Sequence, residues 1–288
     1  MDRGALIQTF VDLYGAEHDA LGETGHLEML DRGRQWDLAP VLDQGGMLLF
    51  PHGRPADCGH QVGAVVNAVL DSGADRCVFV SVLHASSDEM EDARVRVAEG
   101  DDPSNFPIWG IQGPGIDFRD DWQRDHAPTT FRRLMAVETK RRGIAGPQVI
   151  ERFPYLAGGK PGQLPGVDEF AELCEHAVVV TTADSFHHGI GYGTPPEDSY
   201  APEAGGLELA TESILKGCEL LKAQDYWGYN QHCVTDKSDH RDAGQLLSYV
   251  KGPIHGEILD LVPSEFGDVY DAPAPSWVAA ALVTYTPA

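Results

Sequence analysis

Four short apolar segments, rich in β-branched and small residues and separated by helical patterns, restrict this chain to a fold with a buried sheet. They occupy residues 47–50, 77–83, 177–182 and 277–285. Helical spacing of apolar residues appears at 61–70, 168–174, 208–223 and 243–250. Strands that are apolar throughout and alternate with helices are typical of sheets covered on both faces. The sequence therefore predicts a single α/β domain with a mixed, largely parallel central sheet and helices on both faces.

The pattern also predicts how the chain is divided. Residues 1–44 are expected to form an N-terminal helical segment packed on the domain, and residues 45–288 are expected to form the α/β domain itself. Residues 118–142 predict a helix broken near Pro128, because proline removes a backbone donor inside a helix. The glycine- and proline-rich stretch at 155–165 predicts a loop.

Charge and cysteine content exclude several classes of protein. The chain has 45 Asp and Glu against 21 Lys and Arg, a net charge of −24, which argues against nucleic-acid binding. No apolar stretch reaches the ~18 residues of a membrane span, so no membrane partner is expected and the predicted location is the cytoplasm. Five widely spaced cysteines without a CxxC pair argue against a disulfide framework or a structural zinc finger.

Histidines recur just beyond three of the apolar segments. His52 follows the first, His84 follows the second, and His187 comes shortly after the third, behind Asp184. In open α/β sheets, ligands bind in the crevice outside the carboxyl ends of the strands. These histidines are therefore expected to meet at one site if their strands are neighbours.

Clustered imidazoles suit a divalent transition metal, which needs at least one further, usually anionic, ligand. The segment 231–242 offers three alternatives for that third ligand: Cys233, Asp239 and His240. For any single histidine after a strand, a capping or hydrogen-bonding role is the more frequent one. The recurrence at three strand ends is what favours a metal site here.

The order of these motifs resembles the Memo-like family, which shares its fold with the class III extradiol ring-cleavage dioxygenases of the LigB-like superfamily. The resemblance extends over most of the chain after about residue 45. The matching segments are Pro51-His52-Gly53, Leu83-His84, Asp125-His126, Asp184 to Gly189 and Ser276 to Ala280. The family's usual cysteine ligand aligns with Ser238 without a gap and with Cys233 only after an insertion. This difference leaves Asp239 and His240 as alternatives.

The resemblance implies a non-haem Fe(II) dioxygenase that acts with O2 on a small catechol-like or chelating substrate, with Zn or Cu as alternative metals. His52 and His84 would bind the metal, His187 would act as acid and base, and Asp184 would orient the His187 ring. Arg54 and Tyr192 are expected near the substrate. Two alternatives stay open: a non-catalytic Memo-like metal-binding or interaction protein, and a zinc-dependent hydrolase. The oligomeric state is also open, with a homo-oligomer among the options.

Overall fold

The computed structural model describes residues 3–288. Within them, the α-helices are α1 Arg3–Gly33, α2 Ala39–Asp43, α3 Pro55–Asp71, α4 Asp88–Ala98, α5 Thr129–Arg142, α6 Val167–Glu175, α7 Gly206–Lys222, α8 Tyr226–Thr235, α9 Arg241–Lys251 and α10 Gly267–Tyr270. The β-strands are β1 Met47–Phe50, β2 Arg76–Val80, β3 Gly110–Gln112, β4 Gln148–Tyr155, β5 Val178–Thr182, β6 His187–Gly189, β7 Ile254–Glu265 and β8 Ser276–Pro287. None of the helices in this range has both the length and the apolar composition required to cross a bilayer.

The strands form one mixed sheet in the order β3-β4-β2-β5-β1-β8-β6, with β7 also paired to β8. The four central strands, β4, β2, β5 and β1, run parallel to one another. Antiparallel strands flank them, β3 on one side and β8 with its partners on the other. The predicted α/β fold with a mixed central sheet is thus confirmed.

Both faces of the sheet are buried, as the uninterrupted apolar strands require. In β1, Leu48 and Phe50 pack on one side with apolar residues of α1, α2, α3 and α5. Met47 and Leu49 point to the other side and join a cluster that includes residues of α6, α7, α8 and α9. Burial of each such side chain contributes about 1.5–3 kcal/mol. The two apolar clusters therefore fix the central strands between two helical layers.

Strands β3, β4, β6 and β7 were not predicted, and the two long ones carry polar residues. In β4 the adjacent Glu151 and Arg152 interrupt the apolar pattern, but Arg132 of α5 donates to Glu151 and Arg152 donates to the Pro114 carbonyl oxygen. Strand β7 has a bulge between Ile258 and Asp260, and much of its length is only half-buried. Contacts with distant segments stabilise both long strands, and the local sequence pattern does not indicate such contacts.

Two predicted elements end or begin differently in the structure. The predicted strand at 77–83 stops at Val80, and its last three residues run on as irregular chain. Of the predicted helix at 118–142, the α-helical part begins at Thr129, just beyond Pro128. The part before Pro128 contains a short 3-10 helix at Asp121–Arg124. The break near Pro128 is confirmed.

The strands that precede the histidines are neighbours in the sheet. β5 lies between β2 and β1 and is parallel to both. The carboxyl ends at Phe50, Val80 and Thr182 therefore meet at one edge, and the segments that follow them are brought together there.

Helix α1 packs closely on α3 and reaches over this edge. Two glycines allow the approach: a Cβ on Gly33 would lie 2.4 Å from the backbone nitrogen of Ala64, and a Cβ on Gly63 would lie 2.7 Å from the carbonyl oxygen of Met29. Both neighbouring atoms belong to the backbone, so they cannot move aside as a side chain can.

Gly63→Ala is expected to lower the free energy of unfolding by about 1–3 kcal/mol, because the added methyl group forces α1 and α3 apart. Gly15→Ala, in α1, is the matched control, since nothing lies within 4 Å of the position that its methyl group would occupy. That change should instead raise stability by about 0.5–1 kcal/mol through helix propensity. Urea unfolding of both variants checks the pair, and equal effects would contradict the close packing.

Candidate metal centre

A cavity of about 330 Å³ opens at the edge where β1, β5 and β2 end. His52, His84, Asp184, His187 and Asp239 all line it. The cavity is near the lower end of the volume range of small-molecule sites. The structure thus brings the predicted strand-end residues together in a space that a small ligand can fill.

Three imidazoles converge on one carboxylate oxygen. Asp239 Oδ2 lies 3.2 Å from His52 Nε2, 3.6 Å from His84 Nε2 and 3.6 Å from His187 Nε2. The same oxygen is buried and lacks a hydrogen bond of acceptable geometry. A buried carboxylate oxygen without a hydrogen bond is costly, so a positive charge beside it, on the imidazoles or on a metal ion, would stabilise it.

The donor set fits a transition metal. Ligands about 2.1 Å from a metal are separated from each other by about 3.0–3.4 Å in octahedral or tetrahedral arrangements, and the His52 and His84 distances to Asp239 are close to this range. His52 also belongs to two groups whose ligand atoms all lie within 4.8 Å of one another, one with His84 and His126 and one with Asp184 and Asp239. Imidazole and carboxylate together are typical of iron and zinc sites.

A hydrogen-bond chain fixes the His52 ring. The Thr182 hydroxyl donates its hydrogen to the Phe50 carbonyl oxygen at 3.0 Å. Its oxygen, 3.3 Å from His52 Nδ1, must then accept a hydrogen from that nitrogen. The proton on Nδ1 leaves Nε2 as the nitrogen that can bind a metal.

Asp125 performs the same task for His84. Its carboxylate lies 3.0 and 3.1 Å from His84 Nδ1 and also accepts the His84 backbone N–H at 2.7 Å. The Ala127 backbone N–H donates to Asp125 as well, at 2.9 Å, which holds the carboxylate in place. A carboxylate on the far nitrogen orients a ligand histidine and raises its basicity.

The electrostatics favour charged partners in the metal-free site. Burial alone would lower the pKa of His84, but Asp125 and Asp239 outweigh it and raise that pKa to about 10. Burial likewise opposes the charged form of His52, whose pKa is nonetheless raised by Asp184 and Asp239. Burial would raise the pKa of Asp239, yet the surrounding imidazoles hold it well below its usual range. A metal ion would therefore replace protons on His52 and His84.

Of the three alternatives for the third ligand, Asp239 lies within 4 Å of three histidine nitrogens, His240 packs elsewhere and Cys233 lines the same cavity. His240 Nδ1 lies 3.1 Å from the Tyr229 hydroxyl, and its ring stacks on Tyr285. Burial lowers the pKa of His240 to about 3 and raises that of Cys233 to about 12 in the metal-free protein. Among residues 3–288, neither belongs to a group of three potential metal ligands. Consecutive side chains diverge at the start of α9, so Asp239 faces the histidines while the next residue, His240, packs on Tyr229.

Asp184 does not orient the His187 ring as predicted. Its Oδ1 accepts the His52 backbone N–H at 3.1 Å, and its Oδ2 lies 3.8 Å from His52 Nε2. Within the described part of the chain, no hydrogen bond or ion pair joins Asp184 to the His187 side chain. The carboxylate instead positions His52, because the turns after β5 and β1 lie side by side.

Arg54 is not among the residues that line the cavity. Its guanidinium is paired with Glu17 at 2.8 Å and with Asp268, and Nε donates to the Glu265 carbonyl oxygen. These partners occupy its donors, so Arg54 ties α1 to the β7–α10 region. Tyr192 does line the cavity, and its ring meets that of His187 edge to face.

Three residues at the site were not assigned a role from the sequence. His126 groups with His52 and His84, and burial together with the nearby His84 holds its pKa well below the usual value. From α1, Phe10 stacks on the His126 ring with centroids 4.8 Å apart, and the Tyr14 hydroxyl donates to the His52 carbonyl oxygen. The Asp125-His126 pair was the sequence feature that could have identified His126 as a site residue. Phe10 and Tyr14 could not have been identified in this way, because α1 contains no recognisable motif.

Comparison with known proteins does not assign the chain to a family. No protein-family model matches it, and no curated protein matches it. The functional argument accordingly depends on the geometry around Asp239 and His52, where the two compact ligand groups are His52 with His84 and His126 and His52 with Asp184 and Asp239.

Proposed function

We propose that this protein is a metal-dependent dioxygenase of the class III extradiol type, related to the Memo-like family, which uses Fe(II) and O2 on a small chelating substrate. The observation that carries the proposal is the buried Asp239 Oδ2, which lacks a hydrogen bond and faces the Nε2 atoms of His52 and His84. Two histidines and one carboxylate are the ligand set of many non-haem iron oxygenases.

In this proposal His52, His84 and Asp239 hold the metal. When bound, Fe(II) supplies a redox-active Lewis acid with positions left open for substrate and O2. Asp125 and Thr182 keep the Nδ1 atoms of the two histidines protonated, so that both Nε2 atoms stay available. Phe10 and Tyr14 pack on His126, beside the two ligand histidines, and limit the access of water to them.

His187 is the proposed acid and base. Its Nε2 faces Asp239 at 3.6 Å, while its Nδ1 is buried without a hydrogen-bond partner. A side chain in this position can take a proton from a substrate hydroxyl at Nε2 and return it later in the reaction. Tyr192 packs against the ring and restricts its orientation.

A zinc-dependent hydrolase is the second candidate. It is favoured by His126, which adds a third imidazole to His52 and His84 and so resembles the histidine-rich set of catalytic zinc sites. A non-catalytic Memo-like protein is less well supported, because Cys233, the predicted discriminating ligand, lines the cavity but belongs to neither compact ligand group of residues 3–288. For all of these, we propose a cytoplasmic location, since the five cysteines are unpaired thiols.

Metal analysis of protein purified without oxygen tests the proposal, followed by O2 uptake with a panel of catechols. Stoichiometric iron with substrate-dependent O2 consumption is the expected result. Stoichiometric zinc with no O2 uptake would favour the hydrolase. The absence of any stoichiometric metal would overturn both candidates.

His187→Ala is expected to keep full metal occupancy and to lower kcat by about 100- to 10,000-fold, the usual contribution of general acid–base catalysis. His176→Ala, at an exposed histidine outside the cavity, is the control and should leave kcat unchanged. Steady-state O2 uptake together with metal analysis measures both quantities. Loss of metal from the His187 variant would show that this residue is a ligand instead.

A further inference from the structure

Arg241 is a buried cation with no hydrogen-bonding partner for its guanidinium among residues 3–288. The residue is 4% exposed, and its Nε and Nη2 atoms are buried without a hydrogen bond. The nearest carboxylate, Asp242, lies 4.0 Å from Nε and accepts the backbone N–H of Ala157. A buried guanidinium whose one carboxylate contact is a 4.0 Å ion pair is weakly compensated, and an anionic ligand would offset the cost of its desolvation.

Arg94 of α4 supplies a second cation to the same cavity. Both Arg94 and Arg241 line the cavity. No hydrogen bond or ion pair within the described chain engages the Arg94 side chain. Its neighbour Glu91 is paired with Arg3 at 2.8 Å, and the Tyr155 hydroxyl donates to the Met90 carbonyl oxygen. The two guanidinium groups are therefore free for a ligand.

The charge of the cavity opposes that of the whole chain. Its lining contains four Lys and Arg against three Asp and Glu, whereas the chain contains 21 against 45. Two of the three acids, Asp184 and Asp239, belong to the histidine group described above. Cations concentrated in one cleft of an acidic protein indicate an anionic ligand, since local charges dominate at short range.

We propose that Arg94 and Arg241 form a carboxylate-binding subsite, so that the substrate is a small carboxylic acid. The inference rests on the proposed function for the other end of the substrate, which would approach the metal ligands. Asp239 and Arg241 are two residues apart, at most about 7 Å along the chain. Both residues line the 330 Å³ cavity, which one molecule of metabolite size can occupy. Guanidinium groups bind carboxylates through paired, charge-assisted hydrogen bonds.

Calorimetric titration of metal-free protein with benzoate and with its neutral isostere benzamide tests the subsite. Benzoate should bind about 10- to 100-fold more tightly, the effect expected of hydrogen bonds to a charged group. Arg241→Met and Arg94→Met should each remove most of this preference. Arg96→Met, an exposed position on the same helix as Arg94, should keep it. The Arg241→Met variant should also melt at a higher temperature, because it replaces a weakly paired buried charge with an apolar chain.

Three results would overturn the subsite. They are equal binding of benzoate and benzamide, a benzoate preference that survives in both arginine variants, and a strong preference for phenyl phosphate over benzoate, which would indicate a phosphate site. Because the protein is metal-free, failure here leaves the metal proposal standing. Conversely, failure of the metal proposal would leave a measured benzoate preference intact.

Discussion

Asp239→Ala is expected to weaken binding of Fe(II) and Zn(II) by about 100- to 1,000-fold. Structural zinc sites with four ligands have apparent binding free energies of about 10–16 kcal/mol, or about 2.5–4 kcal/mol for each ligand. Asp239 is the anionic member of the group, and its Oδ2 faces His52, His84 and His187 together. His52→Ala and His84→Ala should each cause a loss of similar size. Competition titration against a chelator of known affinity measures all three variants.

Cys233→Ser and His240→Ala are the matched controls, because both residues come from the same segment and neither belongs to a group of three potential ligands among residues 3–288, although Cys233 lines the cavity. Each should retain metal affinity within a few-fold of the parent protein. Circular dichroism establishes that each variant is folded, and Asp239→Asn provides an isosteric second test of the carboxylate. If Cys233→Ser lost the metal while Asp239→Ala retained it, the assignment of the third ligand would be wrong.

The strand-end histidines were predictable because the rule behind them is geometrical. Parallel neighbouring strands place their carboxyl ends at one edge, so the residues just after β1, β5 and β2 meet whatever the intervening sequence is. The short apolar segments were enough to identify three of the four central strands. Strand β4 was not predicted because Glu151 and Arg152 interrupt its apolar pattern, and their hydrogen-bond partners lie far away in the sequence.

The rest of the site depends on the directions in which side chains point, and the spacing of residues in the sequence does not predict these directions. Asp239, His240 and Arg241 are consecutive, yet one faces the histidines, one packs on Tyr229 and one lines the cavity without a hydrogen bond from its Nε and Nη2. Where the chain enters a helix, a single residue shift turns a side chain to a different surface. A loop with several suitable ligands could therefore be located from the sequence, but the ligand itself could not be chosen.

Metal affinity is expected to rise by about 100- to 10,000-fold between pH 6 and pH 8. The pKa of His84 is raised to about 10 and that of His52 is raised as well, so metal-free protein carries protons on these rings where ordinary histidines have lost them. Each proton released on binding contributes about one decade of affinity per pH unit. Asp239 adds no dependence in this range, because its pKa is held well below the usual value.

The same shifts predict the stability of the metal-free protein. Protonated His52 and His84 stabilise the fold below the ordinary histidine pKa of about 6.5, and that contribution is lost as pH rises through the raised values.

Asp125→Asn distinguishes the contribution of His84 to the pH dependence of metal affinity from that of His52. Removing the carboxylate lowers the pKa of His84 and should reduce the slope of affinity against pH toward one decade per unit. Zn(II) and Co(II) titrations in chelator buffers give the slopes. An affinity that levels off above pH 7 in the parent protein would mean that both imidazoles are already neutral, and the carboxylates around them would then not control the site.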